Sequence, residues 1–190
     1  MSGTPLLRME DVACIRGGRL LFDAVDLSLA PGEAAVVTGP NGAGKSSLIR
    51  IAAGLLRASG GTVTRGGEAA LAEEGLALDQ KLTLARALRF WAGLDGAAAE
   101  PGMEALGMGG LADVPVRMLS TGQRKRAALA RVVASNAPLW LLDEPLNGLD
   151  AEGTERLASA MARHRDAGGA ILAATHQPMP LPGASEVRLG

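Results

Sequence analysis

One cysteine, no tyrosine and no excess of charge mark this chain of 190 residues. A lone Cys14 excludes an internal disulfide and suits a reducing compartment. It reads as a small buried apolar residue. Against 20 Asp+Glu stand 19 Lys+Arg, a formal net charge of -1, so no broad basic field invites nucleic acid. No apolar run reaches the roughly 18 residues that cross a bilayer, and Met1 to Pro5 lacks the charged start and apolar core of a secretory leader. Work at a membrane would need another chain to supply the spanning part. No internal repeat is visible.

What is present suits one domain, or one domain with a small inserted lobe. The apolar fraction of 47% rests mostly on alanine, leucine and valine. At this length folding buries roughly 70% of the unfolded chain's surface, so no staples are needed.

The stretch from Gly39 to Ser47, Gly-Pro-Asn-Gly-Ala-Gly-Lys-Ser-Ser, fits the phosphate-loop pattern G-x-x-x-x-G-K-[ST]. Its context fits as well. Ala35 to Thr38 ahead of it suits a buried parallel strand, and Ser46 to Ile51 behind it begins a helical pattern that stops at Gly54. Gly39, Gly42 and Gly44, with Pro40, Asn41 and Ala43 between them, let successive N–H groups turn inward around phosphate oxygens. The helix opening after Gly44 adds unpaired N–H groups and a positive dipole end. Lys45 would reach the β- and γ-phosphates, and Ser46 would offer its hydroxyl to Mg²⁺.

Around this loop the chain alternates strands and helices. Leu6 to Ile15 and Leu20 to Leu29 read as strands across Gly17-Gly18, the second with Leu21, Asp23 and Val25 on one face and Phe22, Ala24 and Asp26 on the other. A short strand follows at Thr62 to Thr64. Leu82 to Trp91 carries a helical stripe, with Phe90 and Trp91 taken as core, and Met103 to Leu106 reads as a short helix. Ser120 with Gln123 forms a capping box at the start of a helix running to Ser135. Pro138 to Leu142 is an apolar strand, Ala151 to Arg165 an amphipathic helix closed by Gly168-Gly169, and Ala170 to Thr175 a second buried strand. Apolar, unalternating strands between helices imply a parallel sheet covered on both faces.

Asp143 and Glu144 stand at the end of one such strand, the edge where ligands bind in open α/β sheets. Asp143 would hold Mg²⁺, directly or through water, and Glu144 could accept a proton from the water attacking the γ-phosphate. Ser120, Thr121, Gly122 and Gln123 at a helix N-terminus compose an anion site. Asn147 to Asp150 follows as a turn, and His176 lies just past the second buried strand. His164, beside Arg163, Arg165 and Asp166, reads as part of a solvated face.

Together, the phosphate loop, Leu119 to Gln123, the apolar strand with Asp143-Glu144-Pro145, Leu149-Asp150 and a lone His176 resemble the ATP-binding cassette of ABC transporters over nearly the whole chain. The resemblance implies an α/β P-loop NTPase fold with a mostly parallel core, an N-terminal antiparallel strand region and an inserted helical subdomain. The core would be 1–75 and 136–190, the helical part about 76–135. It also implies a homodimer sandwiching two ATPs, in which Ser120 and Gly122 of one subunit grip the γ-phosphate held by Lys45 of the other. His176 would contact the γ-phosphate, and Asp150 would lie at the dimer seam.

A narrower likeness joins Leu82 to Trp91, Asp113 to Ser120 and Thr175-His176-Gln177-Pro178 to the ATP-binding subunit of the cytochrome c maturation heme exporter. It implies ATP hydrolysis at the cytoplasmic face of the bacterial inner membrane, membrane-spanning partner subunits, and heme handling with a periplasmic chaperone. Two departures stand out. The usual glutamine before the helical lobe falls on Glu74, a further Mg²⁺ candidate, with Gln80 too late in the chain. Without tyrosine, the adenine-stacking slot falls on Arg16, whose guanidinium plane can stack on a base. Three other readings compete: an exporter subunit for a lipid or drug, a soluble cassette acting on ribosomes or DNA, and a small-molecule kinase on the same loop. The last leaves Leu119 to Gln123 and His176 without a role.

Overall fold

The structure, a computed structural model, describes residues 4–73, 75 and 77–190. Two strands, β1 (Leu7–Arg16) and β2 (Arg19–Leu29), form a hairpin across Gly17-Gly18, where both residues take the positive φ that a tight two-residue turn requires. β4 (Gly60–Arg65) pairs antiparallel with the other edge of β1, completing a three-stranded sheet.

The second strand departs from simple alternation. Phe22 shares the buried face with Val25, Leu27 and Leu29 rather than opposing Val25. The cause is local: Ala24 sits at φ 50° and the pairing with β1 slips between Val12 and Cys14. One extra residue at a bulge reverses which side chains face inward.

Five parallel strands form the main sheet in the order β5-β6-β7-β3-β8: β5 (Ala69–Ala72), β6 (Leu139–Asp143), β7 (Ala170–Ala174), β3 (Ala34–Thr38) and β8 (Ser185–Arg188). Both faces are covered. Leu139, Leu141, Leu172 and Val37 pack toward α1 (Lys45–Ala52) and the antiparallel sheet. Trp140, Leu142, Ile171 and Ala173 pack on the opposite face with residues of α2 (Leu84–Leu94), α4 (Thr121–Ala134) and α5 (Ala151–Asp166). Apolar residues at successive positions of β6 and β7 therefore serve two cores, and strict alternation is lost. A short helix, α3 (Glu100–Ala105), packs against α4. Among the described residues no helix is long and apolar enough to cross a membrane.

Two expectations fail here. Phe90 is not core but 59% exposed, because Leu84, Leu88 and Ala92 set the buried stripe of α2 and residue 90 falls on its far side. Trp91 is half-buried, its indole N–H donating to Ala77 O at 2.7 Å, with Arg131 4.9 Å above the ring. His164 is not part of a solvated face either: it is half-buried against Trp140.

Candidate functional site

Because the main strands run parallel, their C-terminal ends share one edge. There β3 delivers the phosphate loop, β6 delivers Asp143 and Glu144, and β7 delivers Thr175 and His176. Residues far apart in the chain meet because three buried strands end together.

The loop's shape depends on glycine at two positions. Gly39 has φ 143° and faces the Leu189 carbonyl so closely that a Cβ would lie 2.3 Å from its oxygen. Gly44, at φ 102°, leads into α1, and a Cβ there would meet the Phe22 ring at 2.8 Å. Among the described residues no side chain caps the start of α1 and no acid stands in its first turn, leaving the helix end open to an anion.

Lys45 is 6% exposed, and its ammonium donates to the carbonyls of Gly39 (2.8 Å) and Pro40 (3.3 Å). A buried cation needs such partners. Ser46, Asn41, Gly42 and Ser47 line a cleft with Glu144 and with Leu21 of β2.

Asp143 is 8% exposed, and its Oδ1 is buried without a hydrogen-bond partner among the described residues. Burial, foremost, pushes its carboxyl above the usual carboxylate range, and the negative Glu144 adds to this. A hydrogen bond with Ser46 and the positive Lys125 and Arg50 work the other way. An orphaned carboxylate oxygen beside a serine hydroxyl is a donor set that fits Mg²⁺, which takes few protein oxygens and completes its shell from water and phosphate. Lys125 also donates to the Asp143 carbonyl at 3.3 Å.

Glu144 adopts φ 46°, uncommon for a residue with a side chain, and its N–H donates to Ala174 O at 2.8 Å. Its Oε2 lies 2.9 Å from His176 Nδ1. Past His176, the Gln177 amide nitrogen approaches Asn147 Oδ1 at 3.1 Å and His176 Nε2 at 3.4 Å.

The remaining candidates lie elsewhere. Ser120 Oγ accepts from the Gln123 N–H at 3.2 Å and Gln123 Oε1 accepts from the Ser120 N–H at 2.9 Å, so the capping box is complete. Ser120 and Thr121 are exposed, and a Cβ on Gly122 would lie 2.8 Å from Gly148 O. The start of α4 therefore stands beside the Asn147–Asp150 loop, outside the cleft formed by Gly44 and Glu144. Asp150 caps α5, accepting from the Gly153 N–H at 2.8 Å. Arg16 is exposed at the end of β1. Gln80 is exposed, its carbonyl accepting from the Arg117 N–H at 3.2 Å, and Glu74 lies outside the described residues.

Sequence reasoning missed Arg50, which pairs with Glu73 through Nε (3.1 Å) and Nη2 (2.9 Å). It also assigned nothing to Gln177. A Thr-x-Gln step after a buried strand was the available signal, since Thr175 folds the backbone of Gln177 around its own hydroxyl.

A phosphate loop, an acidic strand end and a histidine gathered on one sheet edge define a nucleotide-hydrolysing cassette. The family model for ABC transporters matches residues 22–147, and the chain belongs to that family as an ABC-type ATPase. It is similar to the cytochrome c biogenesis ATP-binding export protein CcmA of Sphingopyxis alaskensis, 55% identical over 98% of this chain and 98% of the relative. The protein of the same name in Novosphingobium aromaticivorans is 58% identical, covering 90% of this chain and 88% of the relative. Among solved structures, an ATP-binding subunit of an ABC transporter superposes with a TM-score of 0.82 at 25% identity, over 90% of this chain and 79% of the other. A dimeric cassette in a post-hydrolysis state bound to ADP and Pi shares the fold, with a TM-score of 0.82 at 21% identity over 96% and 94% of the two chains.

Proposed function

We propose that this chain is the ATP-hydrolysing subunit of a membrane ABC complex in c-type cytochrome biogenesis. The convergence of Lys45, Asp143, Glu144 and His176 on one sheet edge carries the enzymatic half of this reading. The names and high identity of the relatives support the pathway.

In the mechanism, loop N–H groups and the uncapped start of α1 bind the ATP phosphates, and Lys45 exchanges its carbonyl partners for phosphate oxygens. Ser46 and Asp143 would hold Mg²⁺, which would supply neutralisation of the phosphate charge. Glu144 accepts the proton of the attacking water as the new P–O bond forms and ADP leaves. His176, already against Glu144, orients the γ-phosphate.

Ser120 and Gly122 stand outside their own chain's cleft, which supports their acting on the nucleotide of a second copy, with Asp150 at the seam. We read 76–135 as the helical subdomain inserted between core segments 1–75 and 136–190. Membrane-spanning subunits would be the partners, at the cytoplasmic face of the inner membrane. Arg16 and Glu74 keep their assignments to adenine and metal within this proposal.

Mild-detergent purification from native membranes, with partners identified by mass, tests the pathway. Recovery with c-type cytochrome assembly subunits is the expected result. Recovery with an unrelated permease would retain the ATPase and remove the heme connection.

A further inference from the structure

We propose that Gln177 is a positioning residue that sets the tautomer of His176, an inference resting on the reading of Glu144 and His176 as the hydrolytic pair. The side-chain amide nitrogen of Gln177 points at two acceptors. Asn147 Oδ1, 3.1 Å away, takes one of its hydrogens. The other is directed at His176 Nε2, 3.4 Å away. An amide nitrogen carries two hydrogens and no acceptor lone pair, so the ring nitrogen it faces must be the unprotonated one. The ring hydrogen then resides on Nδ1, which lies 2.9 Å from Glu144 Oε2 and donates to it.

The backbone prepares this contact. Thr175 is 1% exposed, and its hydroxyl accepts from the Gln177 N–H at 3.0 Å and donates to the Gln177 carbonyl at 3.3 Å. That closed turn at the end of β7 directs the Gln177 side chain back across the sheet edge toward Asn147. Asn147 in turn belongs to the loop after Glu144, whose carbonyl accepts from the Asn147 N–H at 3.3 Å. Four residues thus close a ring: Glu144, His176, Gln177 and Asn147. Held this way, His176 Nε2 has no hydrogen to offer a phosphate. The ring can donate from that atom only after the Gln177 contact opens, which links movement of the Asn147 loop to engagement of the nucleotide.

The chain has two histidines, so nitrogen-15 labelling of imidazole yields an uncrowded spectrum, with His164→Gln identifying the second ring. In the full nucleotide-free chain at about pH 8, above the ordinary imidazole range, His176 should show a protonated Nδ1 and an unprotonated Nε2. Gln177→Glu replaces the donor by an acceptor of the same size, and His176 Nε2 should then gain a hydrogen. A wild-type spectrum with hydrogen on Nε2, or an Nε2 unprotonated in both wild type and Gln177→Glu, would overturn the proposal. The spectrum involves no turnover, so it stands or falls separately from the role of Glu144, which hydrolysis by Glu144→Gln measures.

Discussion

The imidazole of His164 lies flat against the indole of Trp140, ring centroids 3.9 Å apart and planes within 9°. His164 Nε2 is buried without a hydrogen-bond partner among the described residues. Burial, opposed by backbone groups of Ala170 and Pro138, pushes its pKa below the ordinary 6.5. The unfolded chain therefore binds a proton at pH values where the folded chain does not. Stability from this group is present above about pH 6.5 and is lost as pH falls toward the lower folded value. Denaturant unfolding at pH 7.5 and 5.5 should show that loss. In His164→Gln the pH dependence across this window should flatten, whatever the absolute stability. An unchanged slope would remove the assignment.

Glu144→Gln should bind ATP and hydrolyse it about 10²-fold more slowly or worse, as expected when a general base is removed. Nucleotide binding by fluorescence and phosphate release would separate the two effects. Wild-type turnover would end the role given to Glu144.

Lys45→Ala removes an ammonium that two loop carbonyls hold in place. ATP affinity should fall by roughly 10- to 100-fold, the range for a lost charged hydrogen bond. Titration calorimetry on the nucleotide-free chain would measure it.

Gly44→Ala places a methyl group 2.8 Å from the Phe22 ring at a φ of 102°. Strain of about 1–3 kcal/mol should appear in unfolding experiments. Adding Phe22→Ala should relieve the collision but not the backbone cost, so recovery should be partial.

Ser120→Ala breaks one half of the capping box of α4. A stability loss of about 1 kcal/mol is expected. Hydrolysis should fall further than stability explains if Ser120 also meets the nucleotide of a second subunit. A mixed dimer, with Ser120→Ala in one copy and Lys45→Ala in the other, would show which site fails.

The strand, glycine loop and helix around Gly39 to Ser46 were legible because the pattern is local and consecutive. Asp143 and Glu144 were placed at a strand end by the apolar run ahead of them. The capping box was legible for the same reason, since Ser120 and Gln123 are one helical turn apart. Other features depended on phase or distance. A bulge at Ala24 turned Phe22 inward, which alternation alone misassigns. Phe90 and His164 were misplaced because composition does not say which helix face meets the sheet. Contacts spanning 30 or more residues, such as Gln177 with Asn147 and His176 with Glu144, arise only once β6 and β7 are side by side.

Cys14, the chain's only cysteine, is buried with its pKa raised above the usual thiol value, chiefly by burial, while a hydrogen bond with Ser47 opposes the shift. It sits where the antiparallel sheet meets the helix of the phosphate loop. Alkylation of its thiol should therefore report local opening of that junction, since a side chain 1% exposed is out of reach in the closed fold. Nucleotide that tightens the loop should slow the reaction, making one native side chain report how often the domain breathes.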